Sequence, residues 1–194
     1  MTNLWRSGTQ KAFHGYMANL AISVLGSIVL WVLEPNAIEI LLGQIEGYLV
    51  ASIIFAIAGA AALVYYILGL NEMKKAAEGT NLADATQRLF IGAILAVVGS
   101  ILCGFLATAI IGGLLGLAGF IVAWTGYSLI KNNATDANAK FGGEKLALSA
   151  LITAIAFVAG LLPVVGSIFA LCLEIWALYV ALQGWKALAA SEIK

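Results

Sequence analysis

Charged residues are scarce in this chain of 194 residues: only 10% are Asp, Glu, Lys or Arg, whereas 62% are hydrophobic. Together with a mean hydropathy of +1.01, this composition excludes a soluble core wrapped in a charged surface. Ten basic residues balance ten acidic ones, so the net charge gives no sign of a nucleic-acid partner. The composition predicts an integral membrane protein whose main partner is the lipid bilayer.

Residues that carry catalysis or bind metals are equally few. The single histidine, His14, lies at the start of the first apolar run, and Cys103 and Cys172 lie inside apolar runs without disulfide or metal-ligand spacing. The sequence has no HExxH, CxxC or Walker motif, no Ser/His/Asp set and no paired carboxylates within an apolar run. We therefore expect no enzymatic activity, no catalytic residue, no cofactor and no metal.

Six apolar segments approach the length of about 20 residues that a helix needs to cross roughly 30 Å of hydrocarbon. The predicted fold is all-α: a polytopic membrane protein in which residues 1–194 form a single bundle of six transmembrane helices, paired as three antiparallel hairpins. A further segment, 36–47, has apolar residues at helical spacing and is predicted to lie on the outer membrane surface. The predicted spans are 13–33, 48–70, 88–110, 114–131, 145–162 and 164–185.

The distribution of basic residues predicts the topology. The outer connections, 34–47, 111–113 and the turn around residue 163, contain no Lys or Arg. Because basic residues concentrate in cytoplasmic connections, we expect a multi-pass protein of the cytoplasmic (inner) membrane with both termini in the cytoplasm. All ten basic residues lie on the inner side: Arg6, Lys11, Lys74, Lys75, Arg88, Lys131, Lys140, Lys145, Lys186 and Lys194.

Two patterns are compatible with a repeated hairpin. Gly26-Ser27-Ile28 recurs as Gly99-Ser100-Ile101, and each returning helix carries an aromatic residue near its inner end, in YYILGL (65–70), GYSLIK (126–131) and LYVALQ (178–183). Aromatic belts produce the second pattern in unrelated helices too, so the sequence leaves the repeat open. Small residues four apart, Gly112 with Gly116 and Ala56 with Ala60, predict close helix packing.

The layout of three short hairpins is similar to that of small bacterial six-span families such as the HdeD-like acid-resistance proteins. The fragment LGSIVLWVLEP at 25–35, in which a Gly-bearing outgoing helix ends in Pro, carries the resemblance. It implies a fold layout and no functional residue.

Glu174 is the one acidic residue inside a long apolar run, ALCLEIWALYVAL. A carboxylate near the bilayer centre costs about 2.5 to 3.5 kcal/mol, so such a residue is expected to face protein or water. Small residues at helical spacing from it, including Ala170, Ala177 and Ala181, predict that it points into the bundle. The predicted intramembrane polar site comprises Glu174, Ser167, Ser100, Thr153 and Ser27.

Three roles for Glu174 stay open: a polar contact between helices, a titratable proton or cation site, and a contact to a partner subunit. The main functional expectation is a structural or accessory membrane protein that assembles with itself or within a larger membrane complex. The bulky stripe of the sixth span favours an oligomer contact or lipid; it comprises Phe169, Cys172, Trp176, Tyr179 and Val180. The alternative is a small transporter or channel with a protonatable site at Glu174.

Overall fold

The computed structural model describes residues 2–35, 45–103, 108–160 and 165–192. Long apolar segments without interior proline become helices because, in lipid, a helix satisfies its own backbone hydrogen bonds. The described residues form six helices packed as three pairs, α1 with α2, α3 with α4 and α5 with α6, which confirms the predicted helices and their pairing. The helices are α1 (Thr2–Val32), α2 (Glu46–Ala77), α3 (Ala83–Cys103), α4 (Ala109–Asn133), α5 (Ala137–Gly160) and α6 (Val165–Ala189).

Five of these helices, α1 to α5, are long and apolar enough to cross a membrane. Their outer surfaces carry large apolar side chains in contact with the surroundings, such as Ile53, Ile57, Leu114 and Phe157. An outer surface of this kind suits lipid and not water. The chain is therefore a multi-pass membrane protein.

The weaker contacts between pairs join α2 to α3, α4 to α5 and α6 back to α1, so the three hairpins form a ring. At one end of the ring, the basic end, lie Lys11, Lys75, Arg88, Lys131, Lys145 and Lys186. The main buried core lies at this end, where Trp5, Met73, Leu89, Ile130 and Leu188 pack together. The rest of the bundle is less densely packed and displays most of its apolar side chains outward.

The second outer turn differs from the prediction at 111–113. Helix α4 begins at Ala109, so Gly112 and Gly113 are helical and the chain reverses between Cys103 and Ala109. A Cβ on Gly112 would lie 2.6 Å from the carbonyl oxygen of Gly99, so this glycine serves close helix contact and not chain reversal.

The remaining outer connections fall mostly outside the described residues. Residues 36–44 of the predicted surface segment and residues 161–164 around the third turn lie outside them, while Glu46 and Gly47 open α2. At the basic end, α1 begins at Thr2, well before the predicted start at 13. Helix α2 extends to Ala77, and Gly79 follows it with a φ of 78°, a backbone conformation that glycine adopts at helix ends.

The three hairpins cross in the same way. A Cβ on Gly69 would lie 2.7 Å from the carbonyl oxygen of Gly8. The same contact joins Gly126 to Ala85 at 2.9 Å and Gly184 to Gly142 at 3.0 Å. Only glycine lets the two backbones of each hairpin approach this closely. The hairpins thus share one register, with residues 8, 85 and 142 equivalent on the outgoing helices and 69, 126 and 184 on the returning ones.

Side chains in this register repeat as well. Thr9 donates its hydroxyl hydrogen to the carbonyl oxygens of Trp5 and Arg6, and Thr86, its equivalent in the second hairpin, contacts those of Leu82 and Ala83 in the same way. Both threonines are buried. The surrounding sequences, TQKAFHG at 9–15 and TQRLFIG at 86–92, correspond residue by residue.

Candidate functional site

Glu174 lies near the middle of α6, nine residues after Val165 and twelve before Lys186, or roughly 14 and 18 Å along the helix axis. Its side chain is exposed in the single chain, as is that of Thr153, which lines the cavity inside the ring, so the inward orientation of Glu174 stays a prediction. The small residues grouped with it, Ala170, Ala177 and Ala181, are buried as expected. At 3.6 residues per turn, Glu174 lies on the same face of α6 as these alanines and Trp185.

The grouping of the other predicted site residues around Glu174 stays a prediction, and the structure describes the surroundings of three of them. Ser27 and Ser100 are exposed, and Ser100 donates its hydroxyl hydrogen to the carbonyl of Ala96 on its own helix. Thr153 donates in the same manner to the carbonyl of Ser149, and it lines a half-open cavity inside the ring. The side chain of Ser167 lies outside the described residues.

The predicted bulky stripe of the sixth span is largely confirmed. Phe169, Cys172, Trp176 and Tyr179 are exposed, as expected for a face that meets lipid or another subunit. Val180 is buried instead, because it packs with Ile152 of α5.

An aromatic cluster joins the three hairpins inside the ring. Trp185 on α6 is 1% exposed, and its ring meets Tyr66 at 5.9 Å and Tyr127 at 6.3 Å between centroids, both edge to face. Tyr16 on α1 lies 6.4 Å from the same ring. The hydroxyl oxygens of Tyr66 and Tyr127 are 3.4 Å apart, and either hydroxyl can donate to the other. The cluster therefore joins four helices around one indole: α1 and α2 of the first hairpin, α4 of the second, and α6 of the third, which carries the indole.

A cavity of about 320 Å³ adjoins this cluster. Most of its wall comes from the second and third hairpins, and its residues are aromatic or small apolar ones with a few hydroxyls. The positions of these residues along their helices place the cavity in the half of the bundle nearer the basic end. The lining comprises Tyr16, Tyr66, Gly92, Ala93, Ala96, Gly119, Phe120, Ala123, Trp124, Tyr127, Leu146, Ser149, Ala150, Thr153, Ala181 and Trp185.

Sequence reasoning found part of this cluster and missed the rest. The aromatic residues noted on the second and fourth helices include Tyr66 and Tyr127, but on the sixth helix the noted Tyr179 is exposed and Trp185 takes the interior place. The sequence carried a signal for Trp185, because an aromatic residue directly follows each of two equivalent glycines, in Gly126-Tyr127 and Gly184-Trp185. The cavity itself depends on the packing of three hairpins and has no signature in a single segment.

Charged groups at the basic end bind helices together. Lys11 on α1 forms an ion pair with Glu72 on α2, and Ser7 donates its hydroxyl hydrogen to the same carboxylate over 2.8 Å. Arg88 pairs with Asp84 one turn away on α3. Among the described residues, no three His, Cys, Asp or Glu side chains lie close enough to hold a metal ion.

No protein-family model matches this chain, and neither the curated proteins nor the solved structures contain a match to it.

Proposed function

We propose that this protein is a six-span, non-enzymatic helical bundle of the cytoplasmic membrane that serves as a structural or accessory subunit. Helix α6 is the sixth span in this proposal, because its 25 residues are predominantly apolar and it pairs with α5. The concentration of basic residues at one end supports cytoplasmic termini. The shared register of the three hairpins supports their origin as a repeat.

Assembly with a second copy or another membrane subunit is the functional core of the proposal. The observation that carries it is the exposed Glu174 among the exposed apolar residues Leu171 and Ile175. Left against lipid, the carboxylate would cost about 2.5 to 3.5 kcal/mol on insertion scales. A partner helix that supplies a hydrogen-bonding group removes this cost.

The mass of the native particle in mild detergent tests the assembly. We expect a particle larger than one chain of 20.2 kDa. Glu174→Ala should weaken the assembly by about tenfold, which corresponds to the loss of about 1.4 kcal/mol from the contact. Glu174→Gln should retain much of the contact, since its amide still forms hydrogen bonds.

Ser100→Ala is the matched control for an exposed polar group, because the Ser100 hydroxyl already bonds to its own helix and needs no partner. This variant should leave the mass unchanged. A wild-type protein that stays monomeric and without partners in native membranes and mild detergent would contradict the proposal.

The alternative is a small transporter or channel with a protonatable midplane site at Glu174. The internal cavity favours it, because transport requires space inside a bundle or between subunits. Glu174 is not among the lining residues of that cavity, so a pathway through Glu174 would have to extend beyond the cavity. Flux that depends on pH in wild-type vesicles and loses that dependence in Glu174→Gln would favour this alternative over a purely structural role.

A further inference from the structure

We propose that the half-open cavity beside the aromatic cluster is a binding site for an uncharged, mostly apolar molecule that carries one hydroxyl or carbonyl oxygen. Its volume of about 320 Å³ falls within the range of small-molecule sites, which begins at about 300 Å³. The cavity is half open, so a molecule can enter it, and an occupant of matching chemistry that binds only the folded bundle stabilises that bundle.

The cavity arises from a difference between the hairpins. In the shared register, Tyr66 of the first hairpin corresponds to Ala123 of the second and Ala181 of the third. The tyrosine ring fills the bundle interior on its side and packs on Trp185, whereas the two alanines leave space. The space in the cavity thus comes from the small side chains of Ala123 and Ala181, which occupy equivalent positions in the second and third hairpins.

The chemistry of the wall selects an uncharged occupant. Its described residues include no Asp, Glu, Lys or Arg, so a charged ligand would lose its hydration without gaining a counterion. The rings of Phe120, Trp124 and Trp185 and the small alanines offer apolar contact along most of the surface. A hydrocarbon chain or ring system matches this lining.

Hydroxyl groups give the site a polar end. Tyr66 and Tyr127 share one hydrogen bond within the described part of the chain, and this bond uses one of their two hydroxyl hydrogens. The second hydrogen is available to an oxygen of the ligand. Ser149 and Thr153 also line the cavity, but their hydroxyl hydrogens are committed to the carbonyls of Ala177 and Ser149. The tyrosine pair therefore supplies one donor that can orient the molecule, and the Tyr16 hydroxyl and the indole N–H groups of Trp124 and Trp185 line the same cavity.

Photolabelling of the purified full-length protein in lipid nanodiscs tests the site. Three probes share one diazirine-bearing aliphatic tail and end in an alcohol, a carboxylate or a trimethylammonium group. We expect saturable labelling of cavity-lining peptides by the alcohol alone. The Ala150→Phe variant should reduce this labelling by about tenfold, because the added ring occupies the cavity.

Leu151→Phe is the matched control, since Leu151 is the next residue on α5 and faces the outer surface. It should label like the wild type. Ala96→Phe fills the cavity from α3 and replaces Ala150→Phe if that variant does not fold, as judged by its elution from a sizing column. Equal labelling by all three probes, unsaturable labelling, or labelling that both filling variants retain would overturn the proposal.

Lipid extraction from protein purified without a probe distinguishes the source of the molecule. A stoichiometric uncharged lipid that is lost in Ala150→Phe and kept in Leu151→Phe identifies a membrane lipid as the occupant. Saturable alcohol labelling without such a lipid identifies a free molecule of the same chemistry. A charged phospholipid with the same dependence on the two variants would contradict the proposed class.

Discussion

Ser149 forms the hydrogen bond that ties α5 to α6 inside the bundle. Its hydroxyl donates to the Ala177 carbonyl over 2.7 Å, and both residues are buried. In the shared register Ser149 corresponds to Gly15 and Gly92, where the backbones touch directly, so the hydroxyl substitutes for close backbone contact in the third hairpin.

We predict that Ser149→Ala lowers the free energy of unfolding by about 1 kcal/mol, the upper range for hydrogen bonds between membrane helices. Unfolding by SDS from mild detergent micelles, followed by circular dichroism, measures the change. Ser128→Ala serves as control, because Ser128 donates only to the Trp124 carbonyl on its own helix. Equal losses in both variants would show that the bond across α5 and α6 adds nothing specific.

Trp185 is the residue that the other three side chains of the aromatic cluster all contact. We predict that Trp185→Ala lowers the free energy of unfolding by about 3 kcal/mol, because it removes ring contacts to three tyrosines and enlarges the cavity. Trp176→Ala, about two and a half turns away on the exposed face, should change it little. The same SDS titration measures the change. An unaltered free energy of unfolding in Trp185→Ala would show that the aromatic cluster does not stabilise the fold.

At the scale of helices, the glycine contacts set the distance between partners. A Cβ on Gly92 would lie 2.7 Å from the Gly119 carbonyl, whereas a Cβ on Gly113 would meet no atom within 4 Å. Gly92→Ala should therefore push α3 from α4 and cost about 2 kcal/mol, within the usual range for overpacking. Gly113→Ala should be neutral or slightly stabilising, since alanine favours helix.

Thermal unfolding in detergent, read from the loss of a monodisperse peak on a sizing column, compares these two variants. The expected order of midpoints is Gly92→Ala below wild type, and Gly113→Ala at or above it. The reverse order would mean that α3 and α4 do not meet at these glycines.

The helices and their pairing could be predicted because apolar length and basic termini are properties of single segments. The face that each helix presents to its neighbours could not be predicted equally well. Ala56 and Ala60 have small-residue spacing yet are exposed, and Val180 belongs to the predicted bulky stripe yet is buried. In a membrane, small and large apolar residues are both tolerated against lipid, so composition alone does not separate inside from outside. The cavity required the relative positions of all three hairpins.

At the scale of the whole molecule, the proposed topology places Asn132 and Glu34 on opposite sides of the membrane. Each is exposed and lies at or just beyond the end of a helix. Single cysteines at these positions, in a background with Cys103 and Cys172 replaced by Ala, should react from opposite sides with an impermeant maleimide. We expect Glu34→Cys to be labelled in intact spheroplasts and Asn132→Cys only after lysis. Labelling of both before lysis would contradict the three spans, α2 to α4, that the proposed topology places between these two positions.

The two ends of the chain meet through Trp5 and Ser191. The Trp5 indole nitrogen donates to the Ser191 hydroxyl over 3.0 Å, and that hydroxyl donates in turn to the Leu188 carbonyl. These partners are separated by 186 positions in the chain. At a synthesis rate of about 5 to 20 residues per second, Trp5 waits roughly 10 to 40 s on the ribosome for its partner. The order of translation therefore places closure of the ring after the synthesis of all three hairpins, and the first helix must remain inserted in the bilayer until α6 arrives.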